Sequence, residues 1–225
     1  MEELGDNAFL ACSSLKGIRI PHGIKEIPDA CLAGSKALSD VFIPNTVTKI
    51  GEYAFFETGI KSIDLPSIVS IGDSTFSLSK NLNNVMLNYG IKEIGEGAFF
   101  SCTSLKHINL PDSIEYIGKE AFKECYKLEE IELPCSVKTI EERTFSHCLS
   151  LKEIVIPESV REIKEEAFLY CQKLEKVSPP SSLLSIGKKA FIGCLLLTNV
   201  TIPLSLLTIG KDAFISCNNI EISIG

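Results

Sequence analysis

A phenylalanine returns every 23 residues through most of this chain, at Phe76, Phe99, Phe122, Phe145, Phe168, Phe191 and Phe214. The phrase around it is nearly constant. Residues 94–102 read IGEGAFFSC, 117–125 IGKEAFKEC, 186–194 IGKKAFIGC and 209–217 IGKDAFISC. Self-similarity at a fixed period of a few tens of residues marks a stacked-repeat architecture, in which each unit covers the apolar edges of the next. The first repeats are less regular: Phe9, then Cys31 in the Phe place, then Phe55, in steps of 22, 24 and 21 residues. Those one-residue differences predict local bulges near Cys31 and Phe55. Ten copies account for all 225 residues. The expectation is therefore one solenoid over 1–225, not the compact domains that such a length usually makes.

A regular unit occupies 105–125. Leu105, Ile108 and Leu110 form a first apolar set, Ile114 and Ile117 a second, and Ala121, Phe122 and Cys125 a third. The two-residue spacing of Ile108 and Leu110 predicts a strand, with His107 and Asn109 on its opposite face. Pro111 cannot donate to a ladder and fits just past that strand. The stretch after Gly118 is too short for a full helix, so one turn of α or 3₁₀ helix at most is expected over 121–125. The Gly column (Gly51, Gly72, Gly95, Gly118, Gly187, Gly210) holds Glu141 and Lys164 in two coils, so a positive φ is not strictly required there. With parallel strands about 4.8 Å apart, ten coils make a rod or arc on the order of 45–50 Å long.

The phrase LxxIxLPxxIxxIGxxAFxxC, carried almost in full by 105–125 and 151–171, resembles the leucine-rich repeat of the BspA-like (Treponema pallidum-type) class. The likeness runs along the whole chain, broken at Asn88 in the Pro column. It implies a right-handed, horseshoe-like leucine-rich-repeat solenoid of the α/β class. About ten 23-residue coils would carry a parallel β-sheet on the concave face and short turns or 3₁₀ segments elsewhere. It also implies proteins of bacterial and protozoan surfaces that act in adhesion or protein binding.

Nine Cys is a high count for this length, but seven of them (Cys12, Cys102, Cys125, Cys148, Cys171, Cys194, Cys217) share one repeat position. Gly34, Thr58 and Ser79 stand there in the other coils, which describes a slot for a small buried side chain. Neighbouring coils bring such residues near one another with parallel Cβ vectors, a poor arrangement for a disulfide. Cys31 is expected to be buried, and Cys135, after Pro134 in a turn, to be the exposed thiol. Spacings of 23 match no zinc-site pattern, and no cofactor is expected.

Catalysis has little to stand on. His147 beside Cys148 suggests a dyad, but adjacent residues on a turn usually diverge. No GxSxG, phosphate-loop, HExxH or calcium-loop pattern occurs, and the chain reads as non-enzymatic. Twenty-two Lys and Arg against 29 Asp and Glu, net −7, give no footprint for nucleic acid. No apolar run approaches a membrane span. Met1, Glu2, Glu3 and Asp6 do not open a signal peptide.

What a solenoid offers a partner is the outward row of each strand. Here the row reads Arg19, Phe42, Asp64, Met86, Asn109, Glu132 and Val155, with His107, Glu130 and Glu153 in the column just before it. These are the candidate partner-binding residues. Phe42 and Met86 are apolar among polar neighbours, as in a binding patch. Glu129, Glu130, Glu132 and Glu153 form an acidic cluster whose sharper alternative is a weak divalent-cation site. Neither end carries a polar cap, so a piece of a longer array, or end-to-end self-association through the uncapped coils, is expected. The function that follows is a binding or adhesion module of a cell-surface or secreted protein, engaging a host, matrix or other surface protein. An intracellular scaffold of the same fold, in the cytoplasm, is the alternative.

Overall fold

The computed structural model describes residues 3–218 and 220–225. It is a parallel β-solenoid, and each coil has three sides. The first side carries β1 (Gly17–Arg19), β3 (Asp40–Phe42), β5 (Ser62–Leu65), β7 (Asn84–Leu87), β11 (Glu153–Val155), β13 (Lys176–Ser178), β15 (Asn199–Ile202) and β17 (Glu221–Ile224). Their registers place equivalent residues together, as in Ile18 beside Val41 and Ile154 beside Val177. Inward residues such as Ile63, Val85, Ile154 and Val200 are buried, and the residues between them face out.

The second side is also a ladder, which the apolar pair Ile114 and Ile117 alone did not announce. Two-residue strands line up along it: β2 (Glu26–Ile27), β4 (Lys49–Ile50), β6 (Ser70–Ile71), β8 (Glu93–Ile94), β9 (Tyr116–Ile117), β10 (Thr139–Ile140), β12 (Glu162–Ile163), β14 (Ser185–Ile186) and β16 (Thr208–Ile209). Between the two sides the Pro column opens a turn: the Pro111 carbonyl accepts the Ile114 amide at 3.0 Å, and Pro157 serves Val160 alike. Asn88 replaces that proline with a side chain that holds the preceding coil, donating to Leu65 O at 3.0 Å and Ile68 O at 2.8 Å.

The third side is the corner, and the helical turn expected over 121–125 is absent. Two residues of each corner adopt positive φ instead, such as Glu120 (56°) and Glu124 (61°), or Arg143 (54°) and His147 (61°). This alternation aims every second amide along the solenoid axis. Gly97, Phe99 and Ser101 donate to Lys119, Ala121 and Lys123 of the next coil at 2.8–2.9 Å, while Ala98, Phe100 and Cys102 donate within their own turn. A continuous helix would send all these amides inward along one chain; the alternating corner stacks instead.

This pattern corrects the register of the second coil. Leu32 N donates to Ala54 O and Phe9 N to Cys31 O. Leu32 therefore occupies the Phe place and Cys31 the Ala place before it. Ser35, not Gly34, fills the Cys slot, since its Oγ bonds Phe9 O as the thiols do in later coils. The steps become 23, 23 and 21, and no extra residue exists near Cys31. The short step comes from two one-residue deletions in the third coil, at Gly59 and after Pro66, not from a bulge. A Cβ on Gly59 would lie 2.2 Å from Lys36 O.

Inside, the Phe rings from Phe55 to Phe214 stack face to face, with centroids 5.1–5.7 Å apart and planes within 13° of parallel. The Cys column runs beside them. Each thiol from Cys102 to Cys217 donates to the carbonyl of a Phe 26 residues earlier, at 3.1–3.3 Å. All nine Cys are free, and Cys135 is the exposed one. The Gly column has ordinary φ and is crowded: a Cβ on Gly118 would sit 2.6 Å from backbone atoms of Gly95 and Glu96.

Candidate functional site

The first side is not continuous: β3 and β5 do not pair, and a second gap lies between β7 and β11. Residues 105–110 and 128–133 run between β7 and β11 without strand pairing, and no backbone hydrogen bond joins 107–110 to 130–133. The second side breaks at the adjoining step, because β9 and β10 do not pair. That is also the step at which the Gly column, occupied by Pro28 in the second coil, first receives a long side chain, Glu141 after Gly118. Lys164 follows it in the column, and its Nζ lies 2.7 Å from Glu141 Oε2. Every other step from Gly51 to Gly210 keeps the ladder bond from this column, such as Gly118 N to Ile94 O at 2.8 Å and Lys164 N to Ile140 O at 2.9 Å. The corner ladder, by contrast, passes through unchanged, with Phe122 N bonding Thr144 O at 2.9 Å.

Where the first-side ladder is open lies a groove of about 610 Å³. His107, Asn109, Glu130, Glu132, Glu153 and Val155 line it together with Leu110, Leu133 and Pro157. Six of the ten residues expected to face a partner thus converge in one depression. Val155 is 68% exposed within it. His107 Nδ1 lies 3.4 Å from Glu130 Oε1, both side chains being open to water, so the contact is weak. A smaller depression beside it brings Lys152 and Lys176 against Glu129, Glu153 and Glu175.

The other four candidates stand on the same side, nearer the first coils, in two pairs. Arg19 lies over the Phe42 ring at 5.4 Å, and His22 meets that ring edge-on at 6.2 Å, so Phe42 (41% exposed) is partly sheathed. Met86 is 52% exposed and sits beside Asp64 in the parallel register of β5 and β7. Sequence reasoning missed Leu110, Leu133 and Pro157. They belong to columns that are inward or turn positions elsewhere, and all three are partly exposed in the groove. The long side chain in the Gly column at Glu141 was the one available signal.

Neither sharper chemical alternative assembles. Cys148 Sγ is buried and donates to Phe122 O at 3.2 Å, while His147 Nδ1 is 2.8 Å from Ser146 Oγ, so the two side chains serve different partners. Burial pushes the Cys148 thiol well above its ordinary range, which removes thiolate at neutral pH. Among the described residues no three His, Cys, Asp or Glu side chains converge as a metal ion would need. No helix among them is long and apolar enough to cross a membrane.

Known proteins of this shape fit the geometry. A leucine-rich-repeat protein from Bacteroides ovatus superposes with a TM-score of 0.76 and 28% identity over 99% of this chain, which spans 58% of that protein's length. A leucine rich cell surface protein from Faecalibacterium prausnitzii matches with a TM-score of 0.56 and 25% identity, over 93% of this chain and 69% of its own. The leucine rich repeat protein of T. pallidum shares the fold at 24% identity and a TM-score of 0.53, over 87% of this chain and 71% of its own. A comparison with curated proteins gave no match. A family model described as the BspA type leucine rich repeat region (6 copies) matches residues 2–114 and again 92–221. The repeat phrase, the stacked corners and these matches agree, and the chain belongs to the BspA-type leucine-rich-repeat family.

Proposed function

We propose that this chain is a non-enzymatic binding module of a cell-surface or secreted protein, and that it takes a protein partner in the groove on its first side. One observation carries the proposal: six outward residues and three apolar ones converge where the ladder opens. Glu130, Glu132 and Glu153 rim the depression, while Leu110, Leu133, Val155 and Pro157 give it an apolar floor. An extended segment with basic and apolar side chains complements both, the charges steering the encounter and the apolar contacts holding it. The Faecalibacterium prausnitzii relative, a cell surface protein by its description, supports the location. A host, matrix or other surface protein is then the source of the segment.

Random-peptide display against the immobilised chain tests this. Enriched peptides should pair Lys or Arg with apolar residues and should lose about tenfold or more in affinity for a Glu130→Gln, Glu153→Gln, Val155→Asn variant, a loss of about 1.4 kcal/mol. Enrichment of acidic peptides, or binding that the variant leaves intact, would place the site elsewhere. Phe42→Ala with Met86→Ala locates that alternative, since a loss of binding at unchanged melting temperature would assign it to the pair near the first coils.

A further inference from the structure

The groove continues past its own rim. Two of its acidic residues, Glu130 and Glu153, also line the smaller depression beside it, which reaches one coil further, to Glu175 and Lys176. A single outward column runs through both: His107, Glu130, Glu153 and Lys176, each one coil after the last. Glu153 and Lys176 stand side by side in the register of β11 and β13. On β13 Val177 points inward, and Lys176 is exposed on the face that carries the groove.

The two lysines of the smaller depression are not equally engaged. Lys152 Nζ lies 3.6 Å from Glu129 Oε2. Lys176, by contrast, has no carboxylate within 4.0 Å among the described residues, although Glu153 and Glu175 line the same depression. It is also the only Lys or Arg in its outward column from Gly17 to Asn199. An exposed ammonium keeps three donors and attracts an anion, which the glutamates next to it repel. The ladder sets the separation of the two opposite sites. Two steps of about 4.8 Å carry Glu130 to Lys176, about 10 Å, which is the reach of three residues of an extended chain.

We propose that Lys176 is a specificity-determining residue of the groove, selecting partner segments that carry an Asp or Glu two or three residues from the Lys or Arg held by Glu130, Glu132 and Glu153. The inference rests on the groove being the binding site and adds the partner's order of charges to it. An extended segment laid along the solenoid axis sets an apolar side chain on the floor, a basic one among the glutamates and an acidic one over Lys176. The cation stands at one end only, so the order of charges also fixes which way a given segment runs. A uniformly basic segment would bring like charge against Lys176 and lose that contact.

Random peptides held between fixed flanks, which offer no free carboxylate, are selected on the unaltered chain and then titrated against it and against a Lys176→Glu variant. Those whose binding requires Glu130 and Glu153 should share an Asp or Glu at the stated distance from their basic residue. Replacing that acidic residue by Ala should weaken binding by about fivefold, and Lys176→Glu should weaken the parent peptide by about tenfold. A peptide with Lys in the acidic place should reverse the preference and bind the variant better. Added salt should shrink both differences. Lys176 is exposed, so the variant should keep its melting temperature. Groove-dependent peptides that lack the acidic residue, or that bind chain and variant alike, overturn the inference and leave the groove as the binding site. A variant that weakens the Ala-substituted peptide as much as its parent overturns it too, because Lys176 would then act without meeting the acidic residue. Failure to find any groove-dependent peptide removes both readings.

Discussion

The Cys slot is a hydrogen-bonding position as much as a small one. Its occupants donate where a packed Phe carbonyl needs a second partner: Cys125 Sγ reaches Phe99 O at 3.2 Å, and Ser79 Oγ reaches Phe55 O at 2.8 Å. That explains why Ser and Thr replace Cys here while Val and Ala do not appear. Cys148→Ser should therefore be nearly neutral, within about 1 kcal/mol. Cys148→Ala should cost about 1–2 kcal/mol, and Cys148→Val about 2–3 kcal/mol, since it loses the donor and overfills the corner. Urea unfolding of the three variants checks the order; a Val variant as stable as the Ser one would leave volume alone in control. The recurrence of Cys made the column legible in the sequence, but its donor role was not, because that depends on where a carbonyl of the preceding coil points. The same limit misplaced the second coil. Cys31 and Gly34 look like a Phe substitute and a small slot residue by counting, and only the hydrogen bonds reveal Leu32 and Ser35 one position later.

At the scale of the element, the corner reverses the usual expectation for glycine. Left-handed backbone recurs twice per coil, yet Gly34, Gly97 and Gly193 are the only glycines that supply it; Asn7, Tyr53, Leu78, Glu166 and others bear it with full side chains. Each such residue costs about 1–2 kcal/mol, offset by the axial ladder bonds that the alternation makes possible. The Gly column proper meets a different demand, close approach of one coil to the next. Gly118→Ala should therefore destabilise by about 1–3 kcal/mol through overpacking against Gly95 and Glu96. Gly97→Ala, at φ 59° with its nearest neighbour Ser74 Oγ at 3.3 Å, should cost less, about 1 kcal/mol. Thermal denaturation of both decides, and the reverse ranking would mean that coil spacing adapts freely. The strand period and the Pro stop were readable from alternation. The corner's fold was not, since no residue type marks its left-handed positions.

Across the whole molecule, stability is a sum over neighbouring coils, and the coils are not equally joined. The corner contributes three axial bonds at each step, from Asn7 N to Asp29 O at one end to Gly193 N to Ile215 O at the other. The first side loses its own between β3 and β5 and again around 107–110 and 130–133, and the second side at the step from Ile117 to Ile140. The outward row that supplies the groove could be read from alternation, whereas the break could not: Ile108, Leu110, Ile131 and Leu133 keep the pattern of every paired strand. The open ladder has a direct signature in hydrogen exchange, which reports local opening amide by amide. The amides of 108–110 and 131–133 should exchange far faster than those of Val85, Val177 and Val200 in equivalent columns, while Phe99, Phe122 and Phe145 at the corner remain among the slowest. Such a result would mean that the coils are hinged at the corner and that the partner's groove is also the weakest neighbour interface, so that a segment bound there stabilises the array by holding three coils together. Protection that is uniform along the first side would show a closed ladder and would remove the groove on which the binding proposal rests.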